Sequence, residues 1–206
     1  MISLQEVLTQ RKQTLILVDI QNDFCHPDGV FAKKGLDMSA MDKMMPHVHD
    51  LIAAAHKNQI PVFFIQNVEE EALDSDAWGN HPDGDENLTN TGVCRRGSWG
   101  TGFYQIVPEE QDYIVTKSRF SAFFNTNLDT YLRAMKIQTI VLTGVATNVC
   151  VETTARHGLL LDYHVVMAED ACATWFRPAH EATMDNIRHF FGKVASSDTI
   201  IDLWNS

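Results

Sequence analysis

The stretch TIVLTGVATNVCVE, Thr139–Glu152, decides how the chain is read. Ile140, Val141 and Leu142 form an apolar, β-branched-rich run of the kind a buried parallel strand needs. Gly144 breaks the run, and Thr147 and Asn148 are residue types that favour helix N-caps. Val149–Leu161 then reads as a helix with Cys150 in its first turn. The result is a strand, a tight turn and a thiol at the positive end of a helix dipole. A helix N-terminus lowers a thiol pKa and offers backbone N–H groups to an anion, as a nucleophilic cysteine beside an oxyanion hole requires. Taken alone, the stretch equally fits a cysteine that is a small buried hydrophobe.

Strands and helices alternate on either side of this stretch. Towards the N-terminus lie a short strand at Asp112–Lys117, ending on a lysine, and a helix at Thr126–Met135 capped by Asn125 or Thr126. Before them come a strand at Pro61–Gln66 and a helix at Met38–Asn58, whose Met41, Met44 and Met45 read as core filler. The first strand, Thr14–Ile20, is an apolar run broken by Asp19, and the polar loop Gln21–Gly29 follows. Towards the C-terminus lie a strand at Tyr163–Ala168, a helix at Pro178–Phe191 with proline at its start, and a closing strand at Val194–Ala195 or Thr199–Ile201. This pattern predicts one α/β domain over residues 1–206, with three α/β/α layers and a mainly parallel, Rossmann-like six-stranded sheet.

The segment from Asn67 to Pro108 lacks periodic apolar residues, and its length predicts a substrate-side loop or lid. Its acidic run Glu69-Glu70-Glu71 reads as a solvated surface. Trp78, Trp99, Phe103 and Tyr104 either line a pocket or pin the loop down, and pinning is the preferred reading.

With 206 residues, 45% hydrophobic and 21% charged, the chain can bury a sizeable core. Its net charge of -11 disfavours nucleic acid and anionic membrane surfaces as partners. The first residues carry no signal-type apolar core and no apolar run reaches transmembrane length, so a cytoplasmic location is predicted. Cys25, Cys94, Cys150 and Cys172 lie far apart without a CxxC pair, and reduced thiols are expected rather than two disulfides. The chain has no GxGxxG, GxxxxGK[ST] or GxSxG motif, and its nine histidines form no HExxH. The reading therefore includes no cofactor and no metal ligand set.

Asp19, Lys117 and Cys150 each fall at or just beyond the C-terminal end of a predicted strand. In an open parallel sheet these ends share one rim, so the three can meet although far apart in sequence. Their chemistry is coherent: the carboxylate can take the thiol proton, the ammonium can favour thiolate, and the thiolate can attack a carbonyl.

Three stretches, LILVDIQNDF (Leu15–Phe24), TKSRFSAFFNT (Thr116–Thr126) and TGVATNVCVETTARHG (Thr143–Gly158), resemble the isochorismatase-like cysteine hydrolases in order and spacing. The resemblance implies a catalytic triad of Asp19, Lys117 and Cys150. It also implies a cis peptide between Val145 and Ala146, and an oxyanion hole made by the Ala146 and Cys150 amides. Within the family, SRFSAFFNTNLD (Ser118–Asp129) and GVATNVCVETTARHGLLLDY (Gly144–Tyr163) look most like the ureidoacrylate amidohydrolases. Carbamoyl-type enzymes such as biuret hydrolase are also similar. The implied activity is a cysteine-dependent amidohydrolase acting on a small ureido, carbamoyl or carboxamide substrate through a thioester, with ureidoacrylate- or biuret-like substrates favoured. Alternatives are vinyl-ether hydrolysis of the isochorismatase type and a nicotinamidase-like amidase. The Asp-x-His metal motif of nicotinamidases is replaced here by QNVEEE (Gln66–Glu71). Phe24, Asn67, Phe120 and Asn148 are candidate substrate contacts, with loop packing or capping as their alternative roles. The family's habit implies a dimer or tetramer.

Overall fold

In the computed structural model, which describes residues 2–80 and 92–206, the apolar runs become strands, the central ones buried on both faces. The strands are β1 (Gln13–Val18), β2 (Val62–Asn67), β3 (Tyr113–Lys117), β4 (Thr139–Val145), β5 (His164–Ala173) and β6 (Lys193–Ala195). They form one sheet in the order β3-β2-β1-β4-β5-β6, and every neighbouring pair is parallel. Successive side chains of a strand face opposite ways, so Leu15 and Leu17 enter one apolar cluster while Ile16 and Val18 enter the other.

The helices are α1 (Leu4–Thr9), α2 (Asn22–Cys25), α3 (Val30–Lys33), α4 (Ser39–Lys57), α5 (Asp76–Gly79), α6 (Leu128–Ala134), α7 (Glu152–Leu160), α8 (Arg177–Asn186) and α9 (Ser197–Trp204). α1, α4 and α9 cover one face of the sheet, with Met41, Met44 and Met45 buried in that core as expected. α6, α7 and α8 cover the other through Leu132, Ala155 and Met184. Among the described residues no helix is long and apolar enough to cross a membrane. All four cysteines are free and buried.

Several expected boundaries move. β5 runs on to Ala173, five residues past its expected end, because the ladder absorbs a bulge: Leu142 pairs with Met167, whereas Gly144 pairs with Cys172. Glu169 and Asp170 fall in that irregularity, and Asp170 accepts the Ser197 N–H at 2.7 Å and its hydroxyl at 2.9 Å. Thr199–Ile201 is helical rather than a strand. Ser196 caps α9 by accepting the Thr199 N–H, leaving β6 as the closing strand. α1 is an additional helix, held by a capping box between Ser3 and Glu6. The helix expected at Pro178–Phe191 is α8 followed by a π-helical turn, Ile187–Phe191.

Gly144 packs its Cα directly against the β1 backbone at Val18. Its φ is +117°, and a Cβ there would lie 2.1 Å from the Val18 carbonyl oxygen. A side chain would meet both a steric wall and a left-handed backbone, so Gly144→Ala is expected to destabilise the fold by about 3 kcal/mol or more. At this chain length that loss corresponds to a melting temperature lower by roughly 6–12 °C, measurable by thermal unfolding.

Candidate active site

Three strand ends bring Asp19, Lys117 and Cys150 together. Lys117 closes β3, where Val115 and Lys117 face inward and Ile114 and Thr116 face solvent. The β2–β3 register sets it beside Asn67. Asp19 follows β1 in the left-handed region, φ +52°, a conformation aspartate tolerates better than most residues. Its N–H donates to the Ile65 carbonyl at 3.1 Å and its carbonyl accepts the Gln21 N–H at 2.8 Å, which fixes the turn at the sheet rim. Cys150 follows β4 after the Val145–Ala146 peptide, which is cis. The expected first α-helical turn is instead a π-helical turn, Thr147–Val151, in which the Ala146 carbonyl accepts from both Val149 and Val151. α7 then continues the same helix.

Lys117 Nζ lies 2.7 Å from Asp19 Oδ2, with both side chains 1% exposed. Among the described residues neither Asp19 oxygen has a well-directed hydrogen bond, so the contact is an ion pair. The same ammonium donates to Cys150 Sγ at 3.5 Å and to the Arg119 carbonyl at 3.0 Å. Burial pushes Asp19 above the usual carboxylate range, even though the Lys117 ammonium opposes that shift. Burial disfavours the Lys117 charge, but Asp19 and Cys150 outweigh it and hold the ammonium protonated. Burial also pushes the Cys150 thiol up, against the pull of Lys117. A neutral thiol therefore rests beside a carboxylate disposed to accept a proton, with a fixed positive charge touching both.

Cys150 opens into a cavity of about 410 Å³. Phe24, Asn67, Phe120 and Asn148, the four candidate contacts, all line it, as do Val145 and Ala146. Phe31 and Trp175 stack at 4.4 Å on one part of the wall, and Trp78 meets Phe120 at 4.9 Å on another.

The isochorismatase domain matches residues 13–199. The chain belongs to the isochorismatase family. Ureidoacrylate amidohydrolase RutB of Methylobacterium radiotolerans is 34% identical over 193 residues, covering 88% of this chain and 75% of that protein. A cysteine hydrolase from Pseudomonas syringae pv. phaseolicola shares the fold with a TM-score of 0.81 at 26% identity, over 94% of this chain and 92% of its own. N-carbamoylsarcosine amidase from Thermoplasma acidophilum matches with a TM-score of 0.72 at 26% identity, over 91% and 97% of the two chains. The chain is thus an isochorismatase-family hydrolase on an all-parallel α/β sheet.

In this family member the segment 67–108 departs from expectation. Residues 81–91 of it lie outside the described residues. Glu69, expected on a solvated surface, is 2% exposed and lines the cavity. Its backbone pairs with a distant segment, Glu69 N–H to the Cys94 carbonyl at 2.9 Å and Arg96 N–H to the Glu69 carbonyl at 3.0 Å, and its side chain is buried while Glu71 stays exposed. Of the four aromatics expected to pin the loop, Tyr104 is buried and Phe103 packs on Phe64, but Trp78 lines the cavity and Trp99 is largely exposed. Thr174 and Trp175, missing from the candidate contacts, reach the cavity because the bulge lengthens β5. Among the described residues no three His, Cys, Asp or Glu side chains converge as a metal would need.

Proposed function

We propose that the chain is a cysteine-dependent amidohydrolase cleaving a C–N bond of a small ureido, carbamoyl or carboxamide compound. The observation that carries this reading is the contact chain Asp19–Lys117–Cys150, whose thiol end lines the cavity. Asp19 takes the thiol proton, and the thiolate attacks the substrate carbonyl. The Ala146 and Cys150 amides receive the oxyanion while the Lys117 ammonium stabilises the negative charge. The tetrahedral intermediate collapses by breaking the C–N bond. Asp19 passes its proton to the departing nitrogen, leaving a thioester on Cys150. Water, deprotonated by Asp19, attacks the thioester, and the product acid leaves as the thiol is restored. The names of RutB and of N-carbamoylsarcosine amidase support a ureido or carbamoyl substrate. The described part of the segment 67–108 contributes to substrate enclosure in this reading, through Glu69 and Trp78 in the cavity wall.

The test is ammonia release from purified protein with biuret, ureidoacrylate, N-carbamoyl amino acids and nicotinamide. Release from at least one is expected, and release from none overturns the reading. The same assay reports Asp19. A protonated Asp19 cannot take the thiol proton, so kcat/KM falls as pH falls through its folded-state pKa. Because burial raises that pKa, the acid limb is expected above about 4, the ordinary aspartate value. A limb at or below that value would remove Asp19 as the base.

A further inference from the structure

Glu69 is a carboxylate enclosed in the cavity with no cation beside it among the described residues. Its two oxygens each take one neutral donor, Asn67 Nδ2 at 3.1 Å and the Trp78 indole N–H at 3.2 Å. A carboxylate offers roughly four acceptor positions, so about half remain for a ligand. The nearby arginines are committed elsewhere. Arg95 pairs with Asp74 at 2.6 Å, Arg96 pairs with Glu70, and Arg119 lies 4.4 Å over the Trp78 ring and donates to the Leu73 carbonyl at 2.9 Å. None of the three lines the cavity. A carboxylate buried among neutral donors is costly, and N–H groups brought by a ligand offset that cost.

Glu69 is also held in place. Gln21 clamps the residue that ends β2, donating to the Asn67 carbonyl at 2.9 Å and accepting its N–H at 2.7 Å. The backbone bonds to Cys94 and Arg96 fix Glu69 itself. Glu69, just past β2, and Cys150, past β4, line the same cavity from strands two places apart in the sheet, so one ligand in it faces both. The other polar groups of the wall are uncharged: among the described residues Asn148 Oδ1, the Thr174 hydroxyl and the Trp175 indole N–H are buried without a partner. A substrate with its carbonyl at Cys150 therefore meets a fixed negative charge on the β2 side and neutral groups on the β5 side.

We propose that Glu69 is a specificity-determining residue that selects substrates ending in N–H donors, either a second carbamoyl NH2 or an ammonium, and rejects those ending in a carboxylate. The proposal rests on the amidohydrolase reading for the position of the carbonyl. Two carboxylates facing each other in a mainly apolar cavity repel, whereas N–H donors complete the acceptor positions that Asn67 and Trp78 leave open. The substrate class is thus a neutral ureide of the biuret kind or a carbamoylated amine, not an anionic ureido acid.

Binding to the Cys150→Ala protein, which cannot form the thioester, tests this by calorimetry with three probes: biuret, the cation 2-aminoethylurea and the anion N-carbamoylglycine. Biuret or aminoethylurea is expected to bind at least about tenfold more tightly than carbamoylglycine, the worth of one good hydrogen bond. The tighter of the two identifies the terminal donor as amide or ammonium. Adding Glu69→Gln, which keeps the shape of the side chain, is expected to erase or reverse the preference against carbamoylglycine. Carbamoylglycine binding as tightly as the other two, no binding of any probe, or an unchanged order in a folded Glu69→Gln protein overturns the proposal. If that variant does not fold, the order measured with Glu69 intact decides. Binding in the expected order by a protein whose native form releases no ammonia would remove the amidohydrolase reading and keep the Glu69 assignment.

Discussion

Cys150→Ala is expected to abolish ammonia release, a loss of about ten-thousandfold or more in kcat, with substrate binding changed by no more than a few fold. The effect is large because no other group in the site can form the covalent intermediate. Asp19 and Lys117 are locked in their own ion pair, and the other three cysteines are buried. The structural disturbance is small, since the change deletes one sulfur at the edge of an existing cavity and leaves the Asp19–Lys117 contact in place. Cys150→Ser is expected to be nearly as inactive, because a serine hydroxyl is far less acidic than a thiol and Asp19 is too weak a base for it. Single-turnover ammonia assays on both variants, with unfolding curves as controls, measure the effect. Turnover retained within tenfold in Cys150→Ala would rule out the thioester route and favour direct attack by water, as in a vinyl-ether hydrolysis.

The parts of the site legible in the sequence are those set by local chain chemistry. Asp19 and Lys117 could be placed because each charge ends an apolar run, and a charge at the end of a buried parallel strand points to the rim where ligands bind. Cys150 could be placed because Gly144 breaks the apolar run just before β4 ends and Thr147 and Asn148 signal the start of a helix. What escaped was set by pairing at a distance. Glu69 sits in a run of three glutamates that reads as solvated, and hydrogen bonds to residues distant in sequence, Cys94 and Arg96 among them, seat it in the cavity wall. Thr174 and Trp175 escaped because Glu169 and Asp170 look like the end of β5. In the fold a bulge carries the strand past them, with Asp170 bonded to Ser197. The π-helical turn before α7 has no compositional signature, since it is a choice of acceptor by backbone N–H groups. α1 was legible in principle, because Ser3 and Glu6 have the spacing of a capping box.

Breaking the Asp19–Lys117 pair from either side is expected to cost stability and activity together, and the two losses can be separated. Asp19→Asn removes the base and leaves the Lys117 ammonium buried, with the Arg119 carbonyl and the Cys150 sulfur as its remaining partners. Neither partner neutralises the charge. Losing one member of a buried ion pair costs about 3–5 kcal/mol. For a chain of this length that lowers the melting temperature by roughly 6–20 °C. Lys117→Met leaves the mirror-image problem, a buried Asp19 without its cation, and is expected to destabilise similarly at neutral pH. The double variant Asp19→Asn/Lys117→Met buries no net charge, so it is expected to melt above both single variants. It still has neither a base to take the thiol proton nor an ammonium beside the thiolate, and its ammonia release is expected to stay at least about a thousandfold down. Stability regained without activity would place the pair in the chemistry as well as in the packing. Stability and activity regained together would mean that the pair serves the fold alone.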